Sequence, residues 1–315
     1  MSSVDIQLHA ALARAVAGVP HHELRGRVAA LSHRYRTEQV ADTAPGIRDA
    51  LDALAYAVVR MPATFRALLT ALSTVEHQPS THVDLGGGTG AAAWAAAALW
   101  PSVTTEIVER QPVAIRLGRQ LAAGNFSPDW RWTTADLRDW TSPTTIDVIT
   151  IGYVLNELTD ETRRDLIGAA ARSAKTIVVV EPGTPSGHRR TLAARDLLIE
   201  QGLTIAAPCP HQGPCPADWC HFAARLPRTE LHRILKDGTR NYEDEKFTYV
   251  VATRRPVSPT PARVIARPIR RKGQVVLDLC TAAGTSERVV VPKSSPSYRT
   301  ARGASWGDES PTIRR

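Results

Sequence analysis

The stretch THVDL, residues 81–85, runs directly into Gly86-Gly87-Gly88-Thr89-Gly90 and then into the apolar run AAAWAAAAL. A short hydrophobic segment, a glycine-rich turn and a helix in immediate succession leave few folds open. Glycines permit positive φ and a close backbone approach to a ligand, and the helix start offers unpaired N–H groups. The same rhythm repeats downstream. TTEIVER reads as a second strand ending in Glu109, followed by helix PVAIRLGRQLAA; WRWTTAD is a third strand with Asp136 at its end, and DVITIGYVL a fourth. Helix DETRRDLIGAAARSA, strand TIVVVEPG and helix RRTLAARDLLIEQG follow, and residues 203–206 and 246–253 supply the last strands around an insertion at 207–245. This alternation predicts an α/β domain over 79–254, a Rossmann-like, mostly parallel sheet covered on both faces.

Asp84-x-Gly86-x-Gly88-x-Gly90 lies at a strand-to-helix junction, the context that gives such a motif meaning. Glu109 ends the next strand, nineteen residues after Gly90, where a carboxylate can accept both ribose hydroxyls of a nucleoside. Dinucleotide enzymes share this logic but carry G-x-G-x-x-G. The present pattern fits S-adenosylmethionine better, with Asp136 placed for the adenine amino group. The expected cofactor residues are therefore Asp84, Gly86, Gly88, Gly90, Glu109 and Asp136, in a fold of the class I S-adenosylmethionine-dependent methyltransferase type. The methyl-acceptor side is less developed. Where enzymes acting on exocyclic base amines carry Asn/Asp-Pro-Pro-aromatic, this chain reads Gly152-Tyr153-Val154-Leu155-Asn156-Glu157. Asn156 is the one candidate to orient an acceptor, and no cysteine stands where a pyrimidine C5-methyltransferase needs its nucleophile.

Residues 1–78 read as helices beside this domain. Ile47, Leu51, Leu54, Val58 and Met61 form a stripe at helical spacing, which Pro62 is expected to kink or restart. After the Pro-rich linker RRPVSPTPAR, the segments RVIARPI, GQVVLDLC and SERVVVPK predict a small β-module over 262–293, and 294–315 an irregular basic tail. Net charge is +8, and residues 254–315 hold thirteen Lys/Arg against four Asp/Glu, so the rest of the chain is close to neutral. Segregated positive charge favours a polyanionic partner, RNA or DNA; a solvated basic tail is the plainer alternative. Arg267, Arg270, Arg271, Lys272 and Arg288 are the candidate phosphate contacts, with Tyr298 and Trp306 as candidate base-stacking rings. The longest apolar run, 91–100, is too short for a membrane span. The N-terminus lacks a basic start and apolar block, so a cytoplasmic protein without membrane association is expected.

Four cysteines complete the inventory: Cys209, Cys215 and Cys220 within PCPHQGPCPADWCHF, and Cys280 in the β-module. Three thiols in twelve residues are poor chance clustering. Four thiolates can satisfy a tetrahedral zinc or an iron–sulfur cluster, and the spacing is not that of common zinc ribbons. His211 and His221 are possible alternative ligands. A shared site with Cys280 would pin the basic module onto the insertion of the main domain.

Several blocks together carry a family resemblance: Arg60-Met61-Pro62-Ala63-Thr64, LGGGTG, VVVEPGTPSG, PCPHQGPCPADWCHFAARLPR, YEDEKFTYVVATR, ARVIARP with LDLCTAAG, and YRTARGASWGD. The chain resembles, from about residue 60 to 308, the methyltransferase-like ribosomal small-subunit assembly factors of mitochondria and their bacterial relatives. The resemblance implies a partner in the small ribosomal subunit and its rRNA. It also implies a [4Fe–4S] cluster, rather than zinc, on Cys209, Cys215, Cys220 and Cys280. Two other readings stand beside it: a small-molecule methyltransferase with a structural zinc site, and a non-catalytic RNA-binding scaffold that keeps the cofactor pocket.

Overall fold

The computed structural model describes residues 3–37, 47–125, 130–236 and 238–310, with no side chains for 32–37. Residues 1–2 and the last five of the expected tail lie outside the described residues. Helices α1 (Ser3–Ala15) and α2 (His21–Thr37) lead to α3 (Ala50–Leu72). Asp49 caps α3 by accepting from the Asp52 N–H at 2.8 Å, satisfying one of the free donors at the helix start. Helix α3 is buried on nearly all sides because α1 and α2 cover one face and the sheet the other. Its buried acid Asp52 is paired with Arg27, and the buried Asp5 of α1 with Arg66 of α3. The expected restart at Pro62 does not occur: the helix runs through it to Leu72. Only the bond that a residue-62 N–H would make to the Val58 carbonyl is forfeited, and packing holds the remainder.

Next come β1 (Thr81–Leu85), α4 (Ala91–Leu99), β2 (Thr104–Glu109), α5 (Pro112–Ala122), β3 (Trp130–Thr134), β4 (Ile146–Gly152), α6 (Asp160–Ser173), β5 (Ala174–Pro182) and α7 (Pro185–Glu200). Then follow β6 (Thr204–Ala207), β7 (Phe222–Pro227), α8 (Glu230–Lys236) and β8 (Tyr242–Thr253). The sheet order is β3-β2-β1-β4-β5-β8-β6, with β7 added on β8. Strands β1 to β5 pair in parallel; β8 is antiparallel to both β5 and β6. One reversed strand near the edge of an otherwise parallel sheet gives the Rossmann-like class I methyltransferase topology. The core runs without interruption from Leu8, Leu24 and Phe65 through Trp94 to Val148, Val178 and Phe247. The hydrophobic interior therefore crosses residue 78 and joins the N-terminal helices to the sheet.

Two strand assignments differ from expectation. The insertion contains β7, and β8 begins at Tyr242 rather than 246. The charged run YEDEK hid this strand. Glu243 and Glu245 lie on the inward side, where Arg228 and Lys236 pair with the first and Arg60 with the second, so burial alternates without hydrophobic residues.

The C-terminal module holds β9 (Ala262–Val264), β10 (Ile269–Arg271), β11 (Gln274–Thr281), β12 (Ser286–Pro292), α9 (Tyr298–Gly303) and β13 (Glu309–Ser310). Segment RVIARPI is split, because β9 and β10 pair with opposite ends of one edge of β11. The tail is more regular than predicted. Ala301 and Tyr298 of α9 pack on the module's own core, and β13 pairs with β9, adding the edge strand. Among the described residues no helix is long and apolar enough to cross a membrane.

Candidate functional site

The glycine loop connects β1 to α4 at the carboxyl edge of the sheet. Gly86, Gly88 and Gly90 take φ of 73°, 56° and 89°, which side chains with a Cβ rarely adopt. Gly87 is required for another reason: a Cβ there would stand 2.5 Å from Asp84 Oδ2. The N–H groups of Gly86 and Gly87 both donate to the Val108 carbonyl, fixing the turn to β2. Asp84 is buried beneath it and accepts from Thr150 Oγ1 at 2.7 Å; burial pushes its carboxyl up to about 7. Thr150 in turn meets His82 Nε2 at 3.0 Å, and His82 Nδ1 meets Thr105 Oγ1 at 3.3 Å. This network ties β1, β2 and β4 together below the loop. Burial drives the His82 ring to about 3, so it is neutral at physiological pH.

Glu109, at the end of β2, accepts the Gly88 N–H on one oxygen at 2.9 Å and the Gln111 N–H on the other at 2.8 Å. It lines a pocket of about 930 Å³, counting its open mouth, together with the glycine loop, Asp136, Val154 and Glu157. Burial raises the Glu109 carboxyl and, with Glu109 beside it, pushes Glu157 up to about 7. Asp136 reaches the pocket but is engaged by Arg138, whose backbone N–H and Nε donate to one oxygen and whose second guanidinium nitrogen donates to the other. That hydrogen bonding holds Asp136 at about 2. Asp84 is thus a support beneath the loop, while Glu109 and Asp136 line the space itself.

The remaining wall comes from α3, a region with no apparent part in the site at the sequence level. Met61 lies against the loop, its Sδ accepting from Thr89 Oγ1 at 3.3 Å, and Tyr56 and Thr64 complete the lining. The Thr64 hydroxyl is buried without a partner among the described residues, an unsatisfied polar group in the wall of this pocket. The block Arg60-Met61-Pro62-Ala63-Thr64, already part of the family resemblance, was the available signal. Asn156 does not line this pocket. It lies in the adjoining cavity with Arg60 and Lys236, and Tyr56 and Tyr153 line both spaces. Tyr153 has φ of 59°, strained for a residue with a side chain, and donates its hydroxyl to Glu245 at 3.1 Å. Glu245 also accepts from Arg60 at 2.9 Å, so this wall is held by a half-buried ion pair.

A second cavity, of about 540 Å³ counting its open part, is lined by all four cysteines. Cys209, Cys215 and Cys220 come from the insertion, and Cys280 from β11, where it pairs with Arg263 of β9. Burial raises the Cys209 and Cys220 thiols and pushes Cys280 up to about 12. Two nearly buried guanidiniums share the wall. Arg195 donates to the His211 and Gly213 carbonyls, holding the cysteine loop, while its Nε finds no acceptor among the described residues. Arg263 donates to the Pro208 and Gly307 carbonyls and pairs with Glu309, so the module and the insertion are already joined around the thiols. His188 also lines the cavity, its ring buried beside the Ala217 backbone. Of the alternative ligands, neither His211 nor His221 lines it. Among the described residues no three His, Cys, Asp or Glu side chains form a group that could hold a metal ion.

The five candidate phosphate contacts divide. Arg288 forms a two-pronged pair with Asp278, Arg267 reaches Asp244, and Arg270 donates to the Arg302 and Ala304 carbonyls. Arg271 and Lys272, at the exposed β10–β11 turn, have no such partner among the described residues. The stacking expectation for Tyr298 and Trp306 is corrected: both pack inward, Tyr298 on the module core and Trp306 on the main core.

Known proteins resemble this chain at several levels. Human ribosome assembly protein METTL17, mitochondrial, is 27% identical over 289 residues, covering 82% of this chain and 62% of its own length. The fission-yeast Rsm22-cox11 tandem protein 2, mitochondrial, is 26% identical over 81% of this chain and 42% of its own. The chain therefore spans less than two thirds of either relative. Among solved structures, an O-methyltransferase family protein from Burkholderia thailandensis aligns over 74% of this chain and 70% of its own, with TM-score 0.47 and 13% identity. The mitomycin 7-O-methyltransferase MmcR aligns over 78% and 72%, with TM-score 0.42 and 19% identity. Both curated relatives are mitochondrial proteins, which overturns the cytoplasmic expectation drawn from the N-terminus. The family described as mitochondrial small ribosomal subunit Rsm22 matches residues 50–311, and this chain belongs to it.

Proposed function

We propose that this protein serves assembly of the small ribosomal subunit, contacting rRNA while holding S-adenosylmethionine in the glycine-loop pocket and a [4Fe–4S] cluster on its four cysteines. The observation that carries the reading is the convergence of Cys209, Cys215, Cys220 and Cys280, from two distant parts of the chain, on one cavity. The donor set suits the cluster. Thiolates bound to iron make an anionic group, and the buried Arg195 and Arg263 supply positive charge beside it.

For S-adenosylmethionine, the two oxygens of Glu109 would take the ribose hydroxyls. Asp136 would share its carboxylate between Arg138 and the adenine amino group. Asn156 opens onto the neighbouring cavity, which favours a second reading in which the cofactor pocket is kept without methyl transfer. The domain division proposed is a helical region to 78, the cofactor domain at 79–254 with its 207–245 insertion, a β-module at 262–293 and a basic tail from 294.

The test is anaerobic purification followed by iron, sulfide and zinc analysis, equilibrium binding of labelled S-adenosylmethionine, and cosedimentation with small subunits. Four irons and four sulfides per chain, a saturable cofactor site and cosedimentation are expected. A colourless zinc protein that stays in the soluble fraction overturns the reading. Transfer of a labelled methyl group to rRNA separates the enzyme from the scaffold.

A further inference from the structure

The β7–β8 pair presents an outward face that, apart from Arg267 at its margin, the candidate RNA contacts read from the sequence do not include. Inward positions of β8 are filled by Glu243, Glu245 and Phe247; the outward positions are Tyr242, Asp244 and Lys246. Across the ladder, Lys246 stands opposite Ala223 and Asp244 opposite Arg225. Trp219, just before β7, is 42% exposed yet held in place. Its ring stacks on His221 at 4.2 Å with an interplanar angle of 14°, and His221 is braced edge-on by Trp306 at 5.0 Å. The Lys246 ammonium lies 5.6 Å from the Trp219 ring centre. Further along, the Arg225 guanidinium lies 4.1 Å over the Tyr242 ring and that of Arg240 6.0 Å from it. Arg225 and Arg267 both pair with Asp244, the one carboxylate on this face among these residues.

Outward residues on a strand recur about every 7 Å, a step that an extended nucleotide matches. Flat rings stand here beside cations, Lys246 by Trp219 and Arg240 by Tyr242, with Arg225 held in a two-pronged pair by Asp244. Rings beside cations receive stacked bases and their phosphates, and duplexes hide the base faces that such rings need. The Trp219 ring is also ordered before any partner arrives, because His221 and Trp306 fix its plane, which lowers the entropy lost on binding. We propose that this face, from Trp219 through Lys246 and Arg225 to Tyr242, is a binding track for single-stranded RNA. It extends the rRNA reading above, on which it rests, and gives the stacking role to rings other than Tyr298 and Trp306.

The test uses the full chain and a fluorescein-labelled 12-nucleotide oligouridylate, with a 12-base-pair RNA duplex as comparison. Native protein is expected to prefer the single strand and to lose affinity steeply with salt. Trp219→Ala lowers single-strand affinity roughly tenfold, the scale of one lost stack, and Trp219→Phe keeps most of it. Tyr242→Ala and Lys246→Ala, both at the surface, each weaken it several-fold, roughly as a lost stack or phosphate contact requires. Unchanged affinity in Trp219→Ala and Tyr242→Ala, with loss in an Arg271→Ala/Lys272→Ala chain, overturns the track but leaves RNA binding intact. No salt-dependent binding of either RNA by the native chain defeats the track and the rRNA reading together. Oligonucleotide affinity that is unaltered in Trp219→Ala, while cosedimentation with subunits is lost, assigns the face to a protein partner instead.

Discussion

The glycine-loop pocket and the cysteine cavity are built by opposite means. The first is assembled mainly from backbone and strand ends that follow one another in sequence: the loop after β1, Glu109 after β2 and Asp136 after β3. Its carboxylates at the strand ends already have protein partners, Glu109 bridging to Gly88 and Asp136 to Arg138, and the Thr64 hydroxyl is the exception among the lining groups named above. The cysteine cavity is assembled from side chains about sixty residues apart, and among the described residues it holds buried Arg195 and His188 nitrogens without a well-formed hydrogen bond. A pocket made of backbone can exist before its ligand. A cavity that gathers four thiols and such nitrogens gains stability from whatever those groups bind.

Breaking either cavity alone tests how far they are independent. Cys220→Ser has the largest expected effect: cluster iron is lost from the purified protein and the melting temperature falls, because metal-binding energy is folding energy. S-adenosylmethionine affinity should stay within about twofold, as for distant sites without shared partners; a parallel collapse would show that the two cavities are coupled. Gly87→Val is the reciprocal change. Its Cβ would stand 2.5 Å from both Asp84 Oδ2 and Ile107 Cγ2, so cofactor binding should weaken by roughly a hundredfold or more, with overpacking in the buried loop as the cause. Iron content should be unaltered. Glu109→Gln is milder, because the amide still accepts one hydrogen bond; calorimetry should show about a tenfold loss of cofactor affinity.

The smallest effect concerns pH. Burial raises Asp84 to about 7, above the value near 4 of an exposed aspartate. The folded chain then binds that proton more tightly than the unfolded one, so the group's contribution to stability is present below about pH 4 and is lost progressively up to about pH 7. Asp84→Asn removes this dependence while keeping an acceptor for Thr150. Its melting temperature should gain on the native protein as pH rises across that window, by on the order of several degrees. A constant difference between the two would mean that Asp84 is charged throughout.

Much of the site's first half was legible because its residues are local. Loop, strand end and helix start are neighbours along the chain, and positive φ demands glycine wherever the turn falls. What escaped was contributed from a distance or disguised by charge. Met61 and Thr64 sit on a helix whose pattern reports only burial, and nothing in its spacing says that one buried face is a pocket wall. Strand β8 was truncated because Glu243 and Glu245 occupy inward positions, a pattern that depends on partners supplied by α8, the preceding loop and α3. The basic count for residues 254–315 was correct, yet three of the five chosen cations are engaged within the protein. Net charge carries no information about such pairing.

From the sequence alone came the alternating α/β fold, the loop that opens it, the carboxylates at successive strand ends and the grouping of three cysteines. These follow from chain-local physics: periodicity, backbone sterics and spacing. The family resemblance already grouped Cys280 with the other three; tertiary structure alone decided that Arg195 and Arg263 stand beside them, that α3 walls the glycine-loop pocket and that Trp219 is the exposed ring. Each of these depends on which distant groups burial brings together, and burial is a property of the whole packed chain.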